Sequence, residues 1–456
     1  MYKKTTIMSH KTQLVSAIDI GTTKIVALVG KKNEAGRIEI LGMGKTPSNG
    51  VKRGTVINIE DTVNSIKSAV EQAEGMAGIK MKDVFVGIAG QHIKSIQNRG
   101  YINTGGIDKE ITKSDVKHLI KDMHNIPIEM GEEILHVIPQ NFIVDNETGI
   151  KNPVGISGKR LEANFHIVIG HVASANNIKK CVDRVGLRVY DLILEPLASA
   201  DAVLSDEEKE LGVALVDIGG GTTDVAVFYE GNIYHSAVIP FGGNVVTNDI
   251  KEGCGILERM AESLKVQYGS ALAEFELDNK FVTIPGLKGR DPKEISFKNL
   301  SNIIQARMEE IIDAIYFEIE SSGIASKLGG GIVLTGGGSM LKHLPQLVAY
   351  KTGMDVRLGY PNEYLSSDSI AEINQPMYST VVGLLLKGHE YIEQEETPDY
   401  VSVGEKKEAE VKEEIVKEKP VEKEPREKKK TGFGLFNQIK SSLGHVFDEP
   451  EDDAKM

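Results

Sequence analysis

The sequence predicts an α/β fold built from a duplicated unit, followed by a disordered charged linker and a C-terminal amphipathic helix. Three observations predict it. From Leu14 to about Ile392, short β-branched runs alternate with longer amphipathic ones punctuated by glycine, the pattern of strands and helices packed in layers. One motif, an apolar run ending in Asp, a Gly/Thr turn and a second apolar run, occurs twice: LVSAIDIGTTKIVALV at residues 14 to 29 and VALVDIGGGTTDVAVF at 213 to 228. From Glu393 on, large apolar side chains are scarce until one short periodic segment near the end.

Composition bounds the class. The 456 residues allow two to four domains at roughly 100 to 200 residues each. With 40% hydrophobic and 26% charged residues, and no apolar run near the roughly 20 residues a membrane span needs, a transmembrane protein is not expected. The start, MYKKTTIMSHKTQ, has no apolar h-region, and Cys181 and Cys254 make at most one bridge, so a reducing, cytoplasmic compartment is expected. A net charge of -13 opposes general nucleic-acid binding, which needs clustered Lys and Arg.

In each copy of the repeat, glycines let the backbone turn tightly and bring N–H groups close to phosphate oxygens, while threonine hydroxyls add donors. Asp19 and Asp217 end their strands and would offer carboxylates to Mg²⁺ or its water shell. A single glycine hairpin is ordinary turn punctuation; two matching copies about 200 residues apart are much stronger evidence. A third cluster, GGIVLTGGGSMLKHLPQL at 330 to 347, runs from an apolar stretch through Gly336, Gly337 and Gly338 toward a helix, a place for close backbone approach. Its spacing is not GxGxxG, and Gly44-Lys45-Thr46 lacks the P-loop glycine, since Glu39 stands there.

Residues 393 to 430 hold 13 acidic and 10 basic side chains, with Pro420 and Pro425 toward the basic end. Such a segment buries too little to offset its ordering entropy and reads as a tether of roughly 35 Å root-mean-square span. At its end, placed at about 100° per residue, Phe433, Leu435, Phe436, Ile439, Leu443, Val446 and Phe447 share an arc of about 160°. Lys440 sits at the edge of that arc and can snorkel, and Arg426 and Lys428 to Lys430 precede it, suited to anionic lipid headgroups. The helix is long enough to lie on a membrane and too short to cross it.

DIGTTK, DIGGGTTD and TGGGS resemble the phosphate-1, phosphate-2 and adenosine motifs of the actin, sugar kinase and heat-shock chaperone ATPase superfamily. HVIPQNFIVDNETGIKNPVGISGKRLEANFHIVIG (136 to 170), then NIKKCVDRVGL, ILEPLASADAVL, PFGGNVVTNDI, AESLKVQYG, QARMEEII and LTGGGSML, resemble the bacterial FtsA cell division family in order and spacing over about residues 14 to 390. The resemblance implies an actin-like two-lobe ATPase fold of duplicated ribonuclease-H-like domains. Its expected layout is an N-terminal tail (1–13), a first lobe (14–92 and 176–206, 1A) with an inserted subdomain (93–175, 1C), and a second lobe (207–234 and 300–390, 2A) with subdomain 2B (235–299). A linker (391–430), the helix (431–448) and an acidic tail (449–456) follow.

ATP and Mg²⁺ are the implied ligands. Asp19, Gly21, Thr22, Thr23 and Lys24 would hold phosphates from one lobe, and Gly219, Gly220, Gly221, Thr222 and Thr223 from the other. Asp217, supported by Asp19, would face the metal and its water. Glu195 is similar in position to the acidic residue that orients water in the chaperone ATPases, or else is an acidic group suited to a helix start beside Pro196. Glu262 and Lys265 resemble the ribose and base contacts, or form a surface ion pair; Gly336, Gly337, Gly338 and Ser339 would close over adenosine.

The function implied is a peripheral cell division protein with at most weak ATPase activity. It would polymerise on anionic phospholipid at the cytoplasmic face of the inner membrane at the division site, anchor the tubulin-like protein FtsZ and recruit later divisome proteins. The alternatives on the same fold are a sugar or acetate-type kinase and a pilus-assembly ATPase; a chaperone would need a peptide-binding module that residues 393 to 456 do not supply.

Overall fold

Two five-stranded sheets of identical topology carry the duplication in the computed structural model, which describes residues 13–106, 109–277, 279–286, 291–366 and 371–396. The first begins with β1 (Leu14–Ile20), β2 (Lys24–Lys32) and β3 (Ile38–Pro47). The short pair β4 (Val51–Lys52) and β5 (Thr55–Val56), α1 (Ile59–Ala77) and β6 (Asp83–Ile88) follow. Next come β7 (Lys94–Asn103), α2 (Lys113–Met123), β8 (Glu132–Val144), β9 (Glu147–Ile150) and β10 (Arg160–His171), whose strands form a separate antiparallel sheet in the order β7-β10-β8-β9. After α3 (Val172–Arg184), β11 (Arg188–Leu194) completes the first sheet as β11-β6-β1-β2-β3.

Helices α4 (Glu195–Val203) and α5 (Asp206–Leu211) lead to the second sheet, which opens with β12 (Val213–Ile218), β13 (Thr223–Tyr229) and β14 (Asn232–Ile239). Then follow α6 (Gly243–Cys254), α7 (Glu258–Tyr268), the hairpin β15 (Phe281–Ile284) and β16 (Lys293–Ser296), and α8 (Phe297–Ser321). Strand β17 (Ile332–Thr335), α9 (Leu344–Thr352) and β18 (Val356–Leu358) close the sheet as β14-β13-β12-β17-β18, and α10 (Ser379–Glu396) ends the described chain.

Local chemistry explains the elements. Strands β1 and β12 are covered on both faces, so they read as continuous apolar runs instead of alternating ones. The Asn58 side chain caps α1 by accepting from the N–H groups of Glu60 and Asp61, and Ile66, Ala69, Val70 and Ala73 form its buried stripe. Helices α1 and α3 cover the outer face of the first sheet, and α6, α8 and α9 that of the second. The inner faces share one core with α4 and α10, including Val15, Leu28, Leu215, Val333 and Leu385.

Three boundaries differ from the sequence reading. Helix α10 packs mainly on α4 and on β1, β2 and β6 of the first sheet and touches the second lobe, to which residues up to 390 were assigned, through Thr380 to Asp217 and Ser379 to Thr335. Val381, Val382, Leu384 and Leu385 are buried there, on a sheet face that needs cover. The same helix runs to Glu396, past the linker start expected at 391, because Tyr391 and Ile392 still touch the core and Lys32 pairs with Glu393 at 2.6 Å. Strand β14 stays in the second sheet to Ile239, beyond the 234/235 boundary. The linker beyond residue 396 and the helix 431–448, with Phe433 to Phe447, lie outside the described residues. Among the described residues no helix is long and apolar enough to cross a membrane.

Asp201 ties these helices together, pairing with Lys209 and Lys387, each at 2.8 Å. Burial alone would raise its carboxyl, but the two lysines hold it below the usual carboxylate range. Asp201→Ala should cost about 1–3 kcal/mol in urea unfolding at pH 7, less than a fully buried pair because the groups keep partial solvent access. The loss should shrink as the pH falls below about 4, where the unfolded chain's carboxyl takes up its proton, and vanish once the folded carboxyl, held lower, is protonated too.

Candidate functional site

The two β-hairpins meet tip to tip. The turn between β1 and β2 is closed by Ile20 opposite Ile25, and that between β12 and β13 by Ile218 opposite Thr223 and by Gly219 N–H donating to Thr222 O at 2.9 Å. Helix α6 docks on the second turn through Gly243 N–H to Gly219 O (2.9 Å) and Asn244 N–H to Gly220 O (2.8 Å). Gly220 is required by this approach, since a Cβ there would collide with Thr23 Oγ1 of the other hairpin. Gly336 has φ 83°, and its Cβ would collide with Asp217 Oδ1.

Between the tips lies a cleft of about 70 Å³ at whose floor negative charge is concentrated. Asp19, Glu195, Asp217 and Asp224 all line it, with Lys24 as their near cation. Asp217 Oδ2 accepts hydrogen bonds from Ser199 Oγ (2.8 Å) and Thr380 Oγ1 (3.2 Å). Asp224 lies directly across the hairpin from Asp217, a like-charge pairing that destabilises a sheet. Its Oδ2 accepts from Thr222 Oγ1 at 3.3 Å, while its buried Oδ1 has no partner.

Electrostatics follow from this crowding. Burial, opposed by Lys24 and reinforced by Asp217, pushes the Asp19 carboxyl up to about 6. Glu195 stands well above the carboxylate range through burial and then its neighbours Asp19, Asp224 and Asp217; Asp224 does so through burial and Asp217. Asp217 is raised by burial against its two hydroxyl donors and Lys24. Burial lowers the Lys24 ammonium against the pull of Asp19 and Asp217. Excess buried carboxylate with an orphaned oxygen fits a divalent cation. Among the described residues no three acidic, cysteine or histidine side chains converge as direct metal ligands.

The residues expected from sequence separate into two groups. Asp19, Gly21, Thr22, Thr23, Lys24, Glu195, Asp217, Gly219, Gly220, Gly221, Thr222, Gly336 and Gly337 line the cleft. Thr223, Gly338, Ser339, Glu262 and Lys265 do not. Thr223 Oγ1 donates to Phe241 O beyond β14, and Ser339 Oγ to Gly336 O within its own turn. Lys265 pairs with Glu262 at 2.7 Å and donates to Gly243 O at 2.9 Å, so the pair braces the α6 start that supports the second turn. The third glycine cluster enters a 3-10 turn (Gly337–Met340) before α9, not a helix directly.

Asp224, Ser199, Met377 and Thr380 were missed. For Asp224 a signal existed, an aspartate inside an apolar strand of the repeated motif. Ser199 lies in the same ILEPLASADAVL stretch as Glu195, whereas Met377 and Thr380 come from a segment far away in sequence. Pro376 O accepts from both Gly336 N–H and Thr335 Oγ1, which sets Met377 over the cleft.

A family model described as cell division protein FtsA matches residues 214–383, and one described as the SHS2 domain inserted in FTSA matches residues 90–169. The cell division protein FtsA of Pseudomonas aeruginosa is 42% identical over 376 residues, covering 82% of this chain and 89% of the relative. That of Escherichia coli K12 is 37% identical over 385 residues, covering 83% and 91%. Among solved structures, the PilM-PilN type IV pilus biogenesis complex aligns with a TM-score of 0.61 at 15% identity, over 82% of this chain and 98% of that one. MreB 5 of Spiroplasma citri bound to AMPPNP aligns with a TM-score of 0.50 at 14% identity, over 85% and 99%. At that identity the likeness shows the fold alone, which is the actin-like two-lobe fold.

Proposed function

This chain belongs to the FtsA family of cell division proteins, and from that premise we propose that it is an ATP-dependent switch that polymerises at the cytoplasmic membrane and anchors the FtsZ ring there. The observation that carries the nucleotide half is the meeting of two glycine-rich hairpins over the carboxylates of Asp19, Glu195, Asp217 and Asp224. Bound between the lobes, ATP would take donors from Gly21 to Lys24 on one side and Gly219 to Thr222 on the other. Mg²⁺ would neutralise phosphate charge, with Asp217 and Asp19, joined by Asp224, facing its water shell.

Hydrolysis should be slow. Glu195 is the proposed water-orienting base, and in the nucleotide-free protein burial and three neighbouring carboxylates raise its carboxyl well above the ordinary range, toward the protonated form that accepts no proton from water. The lobe assignments proposed are 14–92 and 176–206 with α10 for the first lobe, 93–175 for the inserted subdomain, and 207–239 with the remaining residues from 300 for the second. Residues 431–448 are proposed as the membrane helix. Many such helices along one polymer would bind lipid far more tightly than one, since each later contact is effectively intramolecular. Later divisome proteins would join the assembly so formed.

Liposome co-sedimentation with ATP and Mg²⁺ tests this on the full chain and on a chain truncated before Thr431. Vesicles containing anionic lipid should pellet the full chain, and truncation should abolish pelleting; FtsZ should then pellet only with the full chain. Retention of both forms in the supernatant would sink the anchoring proposal.

A further inference from the structure

Lys24 is the only cation lining the cleft between the hairpins among the described residues, and four carboxylates line it too. Yet among the described residues no side chain hydrogen-bonds or ion-pairs with its half-buried ammonium. A flexible lysine beside Asp19 and Asp217 would be expected to fold onto one of them. What it has instead is an aromatic ring, with Nζ 5.7 Å from the centroid of Tyr378.

That ring is fixed from both ends. Tyr378 is fully buried at the end of a 3-10 turn (Pro376–Tyr378). The turn is tied to the third glycine cluster, since Pro376 O accepts from Gly336 N–H and Thr335 Oγ1. At the other end the Tyr378 hydroxyl accepts from Lys45 Nζ and donates to Glu372 Oε1, each at 2.9 Å. Lys45 also lies over the ring, 5.4 Å from the centroid. Lys24 pairs with Pro47 and Val26 with Lys45 across β2 and β3, so alternation puts both lysines on one face of the sheet, and one ring serves both.

A ring and a carboxylate hold an ammonium in different ways. A carboxylate neutralises the charge and takes its N–H donors; the negative face of an aromatic ring attracts the charge and leaves the donors for another acceptor. Burial lowers the Lys24 pKa, and a ring face opposes that by favouring the charged form. An ammonium kept charged, aimed and unspent meets phosphate oxygens without first giving up an ion pair, which lowers the cost of binding.

We propose that Tyr378 is a positioning residue of the nucleotide site, its ring holding the Lys24 ammonium off the acidic floor and ready for phosphate, an assignment that rests on reading the cleft as a nucleotide site. Lys45 and Glu372 keep the ring in place. The residue acts through Lys24 and through the electron density of its ring.

The test grades that density without emptying the core. Tyr378→Phe gives the reference protein, and amber suppression then places difluoro- and trifluorophenylalanine at 378 in the full chain, fluorine being little larger than hydrogen. Calorimetric titration with Mg-ATP should show affinity falling stepwise with fluorination, to roughly three- to tenfold below the reference for the trifluoro ring. In Lys24→Met the same series should be flat within about twofold, because the ring then has no ammonium to hold. A series that is flat with Lys24 present, or binding that tightens with fluorination, would overturn the proposal while leaving the nucleotide reading intact. An equal decline with and without Lys24 would overturn it as well, making the ring a packing element. Wild-type protein that binds no Mg-ATP at all would sink both.

Discussion

Asp217→Asn is expected to make the nucleotide-free protein more stable and to cost it its nucleotide. Asp217 adds to the charge that raises Asp19, Glu195 and Asp224, and Lys24 is the near cation that offsets it. Removing one negative charge relieves three unfavourable interactions. The asparagine oxygen can still accept from Ser199 and Thr380, where Asp217 accepts now. A gain of about 1 kcal/mol would raise Tm by roughly 2 °C in a body of this size. The same change removes the carboxylate proposed to face a hydrated cation, and losses of roughly 10- to 100-fold are typical when a partner of this kind is deleted. Differential scanning calorimetry without nucleotide and a Mg-ATP titration measure the two effects. A fall in Tm together with unchanged affinity would refute the reading of this cleft as a strained phosphate and cation site.

His166 should control part of the acid stability. It is 1% exposed where the inserted sheet meets β14, its Nε2 lies 2.9 Å from Ser236 Oγ, and its buried Nδ1 has no partner. Burial, then His235 and His136, push its pKa down from 6.5 to about 4. Below pH 6.5 the unfolded chain takes up this proton and the folded one does not, so stability falls as pH falls. The loss is complete near pH 4, where the folded form also titrates. This one group should account for about 2 kcal/mol lost between pH 7 and pH 5. Urea unfolding at both values should show that loss in wild type and its absence in His166→Gln, whatever the other histidines contribute to both proteins. Identical pH slopes would mean that the imidazole reaches water or finds a proton acceptor.

The site was legible where it is local. Asp19 to Lys24 and Asp217 to Thr222 could be found because strand, turn and strand are contiguous and the motif repeats. Glu195 could be placed at a helix start from Pro196 beside it, but its cleft position depends on β11 and α4 delivering it beside Asp19. Glu262 and Lys265 were legible as a helical pair; that they brace Gly243 depends on how α7 packs against α6. Thr380 and Met377 had no sequence signal, because their role arises from the chain returning to Asp217 after more than 150 residues.

By itself the sequence determined the duplicated α/β architecture, the two glycine-rich turns and the family, because apolar periodicity, glycine placement and motif order are properties of contiguous residues. Only the tertiary structure decided that α10 packs mainly on the first sheet, that Asp224 opposes Asp217, and that Gln97 and Gln140 of the inserted sheet donate to carbonyls of β14 at the edge of the second sheet. These depend on which surfaces are left needing apolar cover, charge or hydrogen bonds once distant segments meet, and a linear pattern does not encode which segments those will be.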